Sequence, residues 1–226
     1  QSWGGIYGTK PIAIEPDDER RLSLRGMRHP LLLSRGIDVV PNDIHLRSGS
    51  ALVVSGPNAG GKTVALKSLG LAAWMARSGI PIPAEPGSAV GWFFPVLAEV
   101  GDDQSLVRSL STFSAHVENL ARILDLAEER ALVLLDEVAA GTDPEEGSAL
   151  AAAVLEALVA RGAAVAVTTH YERLKDLAAE EGALENASMG FDLERMEPNF
   201  RLRIGVPGPS SALAVAPRHG MPAPGV

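Results

Sequence analysis

Eight consecutive residues constrain this chain more than any others: Gly56-Pro-Asn-Ala-Gly-Gly-Lys-Thr63. They satisfy the pattern G-x-x-x-x-G-K-[ST] at every fixed position. Ahead of them, Ala51-Leu-Val-Val-Ser55 is a short apolar run that reads as a buried strand. Behind them, Val64, Leu66, Leu69, Leu71, Ala72 and Met75 follow a helical pattern, with Lys67 and Arg77 between. Strand, glycine-rich loop and helix in that order form a phosphate cradle, in which each residue type has a physical task. Gly56, Gly60 and Gly61, with Pro57, Asn58 and Ala59 completing the loop, let the backbone wrap closely enough to aim N–H groups at phosphate oxygens. The helix N-terminus adds partial positive charge. Lys62 places a cation on the β- and γ-phosphates, and Thr63 offers a hydroxyl to Mg²⁺.

The 226 residues, 46% hydrophobic and 21% charged, suit one large α/β domain or a domain with a small appendage. No apolar stretch approaches the length of a membrane span, and the start, Gln1-Ser-Trp-Gly-Gly5, has no signal-peptide core. No membrane partner is therefore expected. The lack of cysteine excludes disulfides and thiolate chemistry and favours a cytoplasmic home. The chain begins with Gln and its first methionine is Met27, so it reads as a piece of a longer protein. Net charge is −8, and it is unevenly spread: residues 51–190 carry 9 basic and 19 acidic side chains. A domain that itself grips a nucleic-acid backbone carries a basic footprint. The segment holding the phosphate loop has none.

Along the chain, residues 1–36 read as a connector ending in a first strand, Leu22-Ser-Leu-Arg25, closed by the turn signal Arg28-His29-Pro30. Ile37–Val40 and Ile44–Leu46 read as strand pieces interrupted by Pro41-Asn42-Asp43. Gly79–Ser88 is a Pro-rich loop, and Ala89–Phe94 and Val96–Val100 are two more expected strands. Phe113, Val117, Leu120, Leu124 and Ala127 form the apolar stripe of an amphipathic helix. Ala131–Leu135 and Ala163–Val167 are continuous apolar runs, the mark of central parallel strands. Between them Asp143 as N-cap, Pro144 at the first helical position and Glu146 closing a capping box start a helix that ends near Gly162. A helix to about Glu181 and strands near Ala187–Met189 and Phe200–Val206 complete the domain, and the tail from Pro207 is rich in Pro and Gly. The reading is a P-loop domain from residue 37, which the resemblance described below extends to residue 213 as an ATPase domain, with residues 214–226 as a tail leading to further domains.

Three constellations carry chemistry besides the loop. Asp136-Glu137 ends a buried strand 73 residues after Thr63. One carboxylate there can hold Mg²⁺ through its water shell, and the next can orient or deprotonate the water that attacks a γ-phosphate. His170 directly follows the next buried strand. It is either a hydrogen-bond sensor of the γ-phosphate at the ligand crevice or a satisfied, partly buried histidine. Ser111-Thr112-Phe113-Ser114 stands just before the amphipathic helix. It is either an ordinary N-cap with Phe113 in the core, or a set of hydroxyls that meets a phosphate presented by another subunit. The five histidines show no metal-ligand spacing, which leaves Mg²⁺ with ATP as the only metal implied.

Taken together, Gly56–Thr63, Leu110-Ser-Thr-Phe-Ser114, Leu135-Asp-Glu137 with Ala140-Gly-Thr-Asp143, and Thr168-Thr-His-Tyr171 resemble the MutS-type ATPases, relatives of the ABC ATPases. Thr63-Val64, Asp103-Gln-Ser105, Gly141-Thr-Asp-Pro144, Glu185-Asn-Ala-Ser188 and Gly205-Val-Pro-Gly208 look like the second bacterial MutS class, and the match runs from about Arg28 to Leu213. The resemblance implies a P-loop fold of ABC/MutS type: a mostly parallel central sheet flanked by helices, with an additional antiparallel strand region. It implies a homodimer whose ATP sites are each completed by the partner chain. It gives Ser111 and Thr112 to the signature acting in trans, Glu137 to water activation, Asp143 to communication across the dimer, and His170 to γ-phosphate sensing. It further implies a core and clamp region before Gln1, and a coiled coil and small nuclease domain after Val226. The parent would act on branched DNA, suppressing homologous recombination, or on stalled ribosomes, and would not read mismatches. Val138-Ala139 departs from the family's usual Leu-Gly, and Pro209, Leu213 and Pro217 depart from its usual Arg, Phe and Arg. Two other readings compete. A transporter's nucleotide-binding subunit would need an L-S-G-G-Q-type signature where Leu110-Ser-Thr-Phe-Ser114 stands. A dimerisation module merely locked by ATP would not need Glu137.

Overall fold

The computed structural model describes residues 20–101, 109–192, 195 and 197–208. In chain order the elements are β1 (Arg21–Met27), α1 (Pro30–Ser34), β2 (Asn42–Arg47), β3 (Ser50–Ser55), a 3₁₀ turn (Asn58–Gly60), α2 (Lys62–Arg77), β4 (Ala89–Val90) and β5 (Val96–Glu99). They continue with α3 (Ser109–Leu126), β6 (Leu132–Leu135), α4 (Pro144–Ala160), β7 (Ala164–Thr168), α5 (Glu172–Glu180), β8 (Leu184–Asp192) and β9 (Glu197–Ile204). Six strands form one sheet in the order β5-β6-β7-β3-β8-β9. The first five are parallel, and β9 runs antiparallel at the edge. A second, antiparallel sheet has the order β2-β1-β4. The expected architecture is the one observed: a mostly parallel sheet, helices on its faces, and a separate antiparallel region.

The apolar runs explain why the large sheet is covered on both sides. Successive residues of a strand point to opposite faces, so a strand with no polar alternation must be buried twice. Leu52 and Val54 of β3, Leu132 and Leu134 of β6, and Ala164 and Ala166 of β7 face α2 and the small sheet. Ala51, Val53, Val133, Leu135, Val165 and Val167 face the layer of α3, α4 and α5. Helix α2 approaches its side closely: a Cβ on Gly70 would lie 2.7 Å from a methyl of Leu134, which would have to move to admit it. By contrast, β1 alternates, and its Leu22 and Leu24 are fully buried against Leu66 and Leu69 of α2.

The sequence and the structure differ at several boundaries. Ile37–Val40 is not a strand; it is an irregular segment between α1 and β2, and Asn42-Asp43, expected to interrupt, belong to β2. Pro30 does more than close a turn: it opens the short helix α1, with His29 as the cap that accepts from the Leu32 amide. The expected strand Ala89–Phe94 pairs only at Ala89–Val90. Gly91 then donates to the Arg21 carbonyl and Phe93 turns into the core. Helix α3 begins at Ser109, so Ser111-Thr112-Phe113-Ser114 lies inside it and not ahead of it.

Candidate functional site

The phosphate loop follows from how β3 ends. Ser55 donates its hydroxyl to the Ala187 carbonyl of β8 and accepts from the Gly208 amide, which fixes the point where the chain leaves the sheet. Gly56 then turns at φ 119° and Gly61 at φ 96°, both in the left-handed region that favours glycine. At Gly56 there is also no room for a side chain, since a Cβ would lie 3.0 Å from the Met189 carbonyl oxygen. Gly61 stands at the N-terminus of α2 and contributes no side-chain cap, whereas Asp143 caps α4 by accepting from the amides of Glu145 and Glu146. An N-terminus without a side-chain cap presents its dipole to whatever anion approaches it.

Lys62 is the first residue of α2 and is only 2% exposed. Its ammonium donates to the Gly56 carbonyl at 2.7 Å and lies 3.8 Å from Glu137 Oε1. Burial pushes its pKa below the ordinary lysine value. The nearby charges of Glu137 and Asp136 pull it back up, and Lys175 opposes them. Thr63 donates its hydroxyl to Asp136 Oδ2 at 2.7 Å, so the strand end of β6 and the helix start of α2 meet through these two side chains. The Thr168 hydroxyl donates to Asp136 Oδ1 at 2.5 Å and accepts from the Glu137 amide at 2.8 Å. Glu137 (φ 50°) and Ala139 (φ 59°) are both left-handed. Ala139 keeps this conformation without the freedom that glycine would give it. Its carbonyl accepts from the buried Tyr171 hydroxyl at 3.0 Å, a bond that spans the turn after β6.

Sequence and structure can be compared residue by residue. Gly56, Pro57, Asn58, Ala59, Gly60, Gly61, Lys62 and Thr63 form one loop and helix start, and Asp136 and Glu137 face it. Asp143 is the N-cap, as expected, and its side chain is taken up by α4. His170 is exposed beyond the end of β7, with its ring 4.4 Å from that of Tyr171. The reading of a partly buried, satisfied histidine is therefore corrected. Burial goes to Tyr171, whose hydroxyl has the Ala139 carbonyl to satisfy it. The N-cap reading of Ser111 and Thr112 is corrected as well, since both lie within α3; their side chains fall outside the described residues. Asp103-Gln-Ser105 and Pro209, Leu213 and Pro217 also lie outside the described residues.

The sequence did not reveal what stands beside the loop. Lys62, Thr63, Asp136 and Glu137, close to one another, line a cavity of about 700 Å³, whose walls also include His29, Ile37, Asn42 and Phe200. His29 caps α1, and burial, reinforced by the Lys67 charge, pushes its pKa below the usual histidine value, which favours neutral imidazole. Phe200 is left-handed at φ 56°, held by Asn42, which accepts from the Leu202 amide and donates to the Phe200 carbonyl. The only sequence signal for this wall was the pair of elements flanking it, because its residues come from β1–β2 and from β9.

The cavity also allows a test of the implied Mg²⁺. Thr63 and Asp136 offer hard oxygen donors on its wall. Among the described residues no group of three or more His, Cys, Asp or Glu could hold a metal ion. That donor set fits a cation held mainly by phosphates and water with one carboxylate nearby, the habit of Mg²⁺.

A five-stranded parallel core, a G-x-x-x-x-G-K-T loop opening a helix, and a carboxylate pair at the end of a neighbouring strand define a P-loop NTPase domain. Comparison with known proteins narrows this class. Residues 52–226 match the family model described as MutS domain V, and the chain belongs to the MutS family as its ATPase domain. It is 52% identical over 201 residues to "Endonuclease MutS2" of Symbiobacterium thermophilum, covering 88% of this chain and 25% of that protein. It is 50% identical over 222 residues to the protein of that name from Anaeromyxobacter sp., covering 95% and 28%. With that of Lactiplantibacillus plantarum it shares 48% over 218 residues, covering 96% and 27%. The chain thus spans about a quarter of the length of the relatives it matches. Among the described residues no helix is long and apolar enough to cross a membrane.

Proposed function

We propose that this chain binds and hydrolyses ATP as the motor domain of a cytoplasmic MutS-type protein that works as a homodimer. The observation that carries the reading is the convergence of Lys62, Thr63, Asp136 and Glu137 on a single cavity, with Thr63 2.7 Å from Asp136 and Lys62 3.8 Å from Glu137. In this reading the loop amides and Lys62 bind the β- and γ-phosphates, and Lys62 exchanges its bond to the Gly56 carbonyl for phosphate oxygens. The base lies toward His29, Ile37 and Phe200, where apolar and aromatic groups suit a purine face. Thr63 and, through water, Asp136 would hold Mg²⁺, which would supply charge neutralisation on the phosphate oxygens. Glu137 accepts the proton of the attacking water, and exposed His170 donates to the γ-phosphate.

The second half of each site comes from the partner chain. Ser111 and Thr112 on α3 would serve the partner's nucleotide, and Asp143 would report across the interface from the N-terminus of α4. The parent protein would act on branched DNA or stalled ribosomes through parts outside this chain. The −8 net charge and the acidic 51–190 segment support placing that contact elsewhere.

Glu137→Gln tests the chemical core. It is expected to keep ATP affinity and lower kcat by about 10²-fold or more, as loss of a general base does. Turnover that survives this change intact would move water activation to another residue.

A further inference from the structure

One side chain in the site, the first residue of the Thr168-Thr-His-Tyr171 motif, has no role assigned to it by the sequence. Thr168 is the last residue of β7, fully buried, one position beyond the register pair Leu135–Val167. That placement sets its hydroxyl beside the residues following β6. It donates to Asp136 Oδ1 at 2.5 Å and accepts from the Glu137 amide at 2.8 Å. The proton assignment has one solution, because an amide only donates and a carboxylate only accepts. One hydroxyl therefore binds the side chain of Asp136 and the backbone of Glu137 at once.

The two bonds have different consequences. With Oδ1 taken by Thr168, the second oxygen of Asp136 is the one that meets the Thr63 hydroxyl at 2.7 Å. Glu137 has φ 50°, which a non-glycine residue keeps only where its surroundings over-determine it. The bond to its amide is such a constraint, at the residue whose side chain must be aimed. A threonine is neutral in charge and acts here only through its neighbours.

We infer that Thr168 is a positioning residue for hydrolysis: its hydroxyl orients the Asp136 carboxylate toward Thr63 and holds the turn that aims Glu137. The inference rests on the ATPase reading above. Partners of this kind, one shell behind a metal-binding or reacting carboxylate, typically carry about 10- to 100-fold in metal affinity or activity.

The test compares Thr168→Val, which keeps shape and β-branching, with Thr168→Ser, which keeps the hydroxyl. Thr168→Ala serves as a second hydroxyl-free variant should valine disturb folding, checked by urea midpoint. Affinity for a fluorescent ATP analogue in EDTA is expected to stay within about 2-fold for every variant, since the loop and Lys62 are untouched. The gain in affinity on adding Mg²⁺ should shrink about 10-fold in the valine and alanine variants. Their kcat should fall about 10-fold or more with KM for ATP changed less than about 3-fold, and serine should recover both readouts to within about 3-fold. Hydroxyl-free variants that match the wild type in Mg²⁺ response and kcat would overturn this inference alone. So would a serine variant as impaired as valine, which would trace the effect to shape. A wild-type chain that fails to bind the analogue would overturn the ATP-site reading, and this inference with it.

Discussion

Replacing Lys62 by methionine separates what the phosphate loop costs the fold from what it supplies to a ligand. The lysine is 2% exposed, and its ammonium has the Gly56 carbonyl at 2.7 Å and Glu137 at 3.8 Å. Methionine keeps an unbranched chain and its packing. It loses a charge-assisted hydrogen bond worth about 1.5–3 kcal/mol and removes a desolvation penalty of several kcal/mol. The lysine pKa is pushed down with burial as the leading cause, so desolvation outweighs the two carboxylates nearby. The nucleotide-free Met variant should therefore be as stable as the wild type or more stable by about 0–2 kcal/mol. The sign with pH follows. Between the depressed pKa of folded Lys62 and the unfolded value of about 10.4, the unfolded chain binds the extra proton, so wild-type stability rises with pH there. The advantage of methionine is complete below that window and gone above it. Nucleotide binding moves the other way. Losing the buried cation should cost about 2–5 kcal/mol, roughly 30- to 4,000-fold in Kd. Urea unfolding at several pH values and titration with a fluorescent ATP analogue measure the two sides. A loss of stability beyond about 1 kcal/mol, or ATP affinity left unchanged, would refute the reasoning.

Other outcomes follow from the same geometry and sequence. If the proposed composite site holds, in which Ser111 and Thr112 of a second chain complete each nucleotide site, ATPase activity per chain should rise with protein concentration; constant specific activity while light scattering reports monomer would remove the composite site. Tyr171→Phe should cost about 1–2 kcal/mol in urea unfolding, because it strands the Ala139 carbonyl that the buried hydroxyl satisfies at 3.0 Å; an unchanged midpoint would deny that bond its role. DNA affinity of this chain near physiological salt should be no tighter than the generic range of about 10⁻⁴–10⁻⁶ M, with Arg20, Arg21, Arg25 and Arg28 giving only residual attraction. Nanomolar binding in an anisotropy titration would mean the charge argument had missed a nucleic-acid surface.

Local patterns were enough for the elements whose neighbours in sequence are also their reason for forming. Gly56–Thr63 fixed the order strand, loop, helix, because the left-handed turns at Gly56 and Gly61 are written as glycines. The unbroken apolar runs ending at Leu135 and Val167 announced strands buried on both faces, and Asp143-Pro144 announced the start of α4. The carboxylate pair Asp136-Glu137 was legible for the same reason, as two charges where such a run stops.

What the tertiary structure decided is whatever depends on two strand ends lying side by side. Ile37–Val40 reads like a strand yet forms a cavity wall, and among the described residues no strand pairs with it. His29 and Phe200 belong to opposite ends of the sequence and meet only around the cavity. Ala139 and Phe200 hold left-handed turns that no glycine advertises, kept by the Tyr171 hydroxyl and by Asn42. Thr168 has no role of its own in the Thr168-Thr-His-Tyr171 motif until β7 lies parallel to β6 and brings it against Asp136. A side chain's type sets which bonds it can make, but only the packing of distant segments sets which partner is within 3 Å.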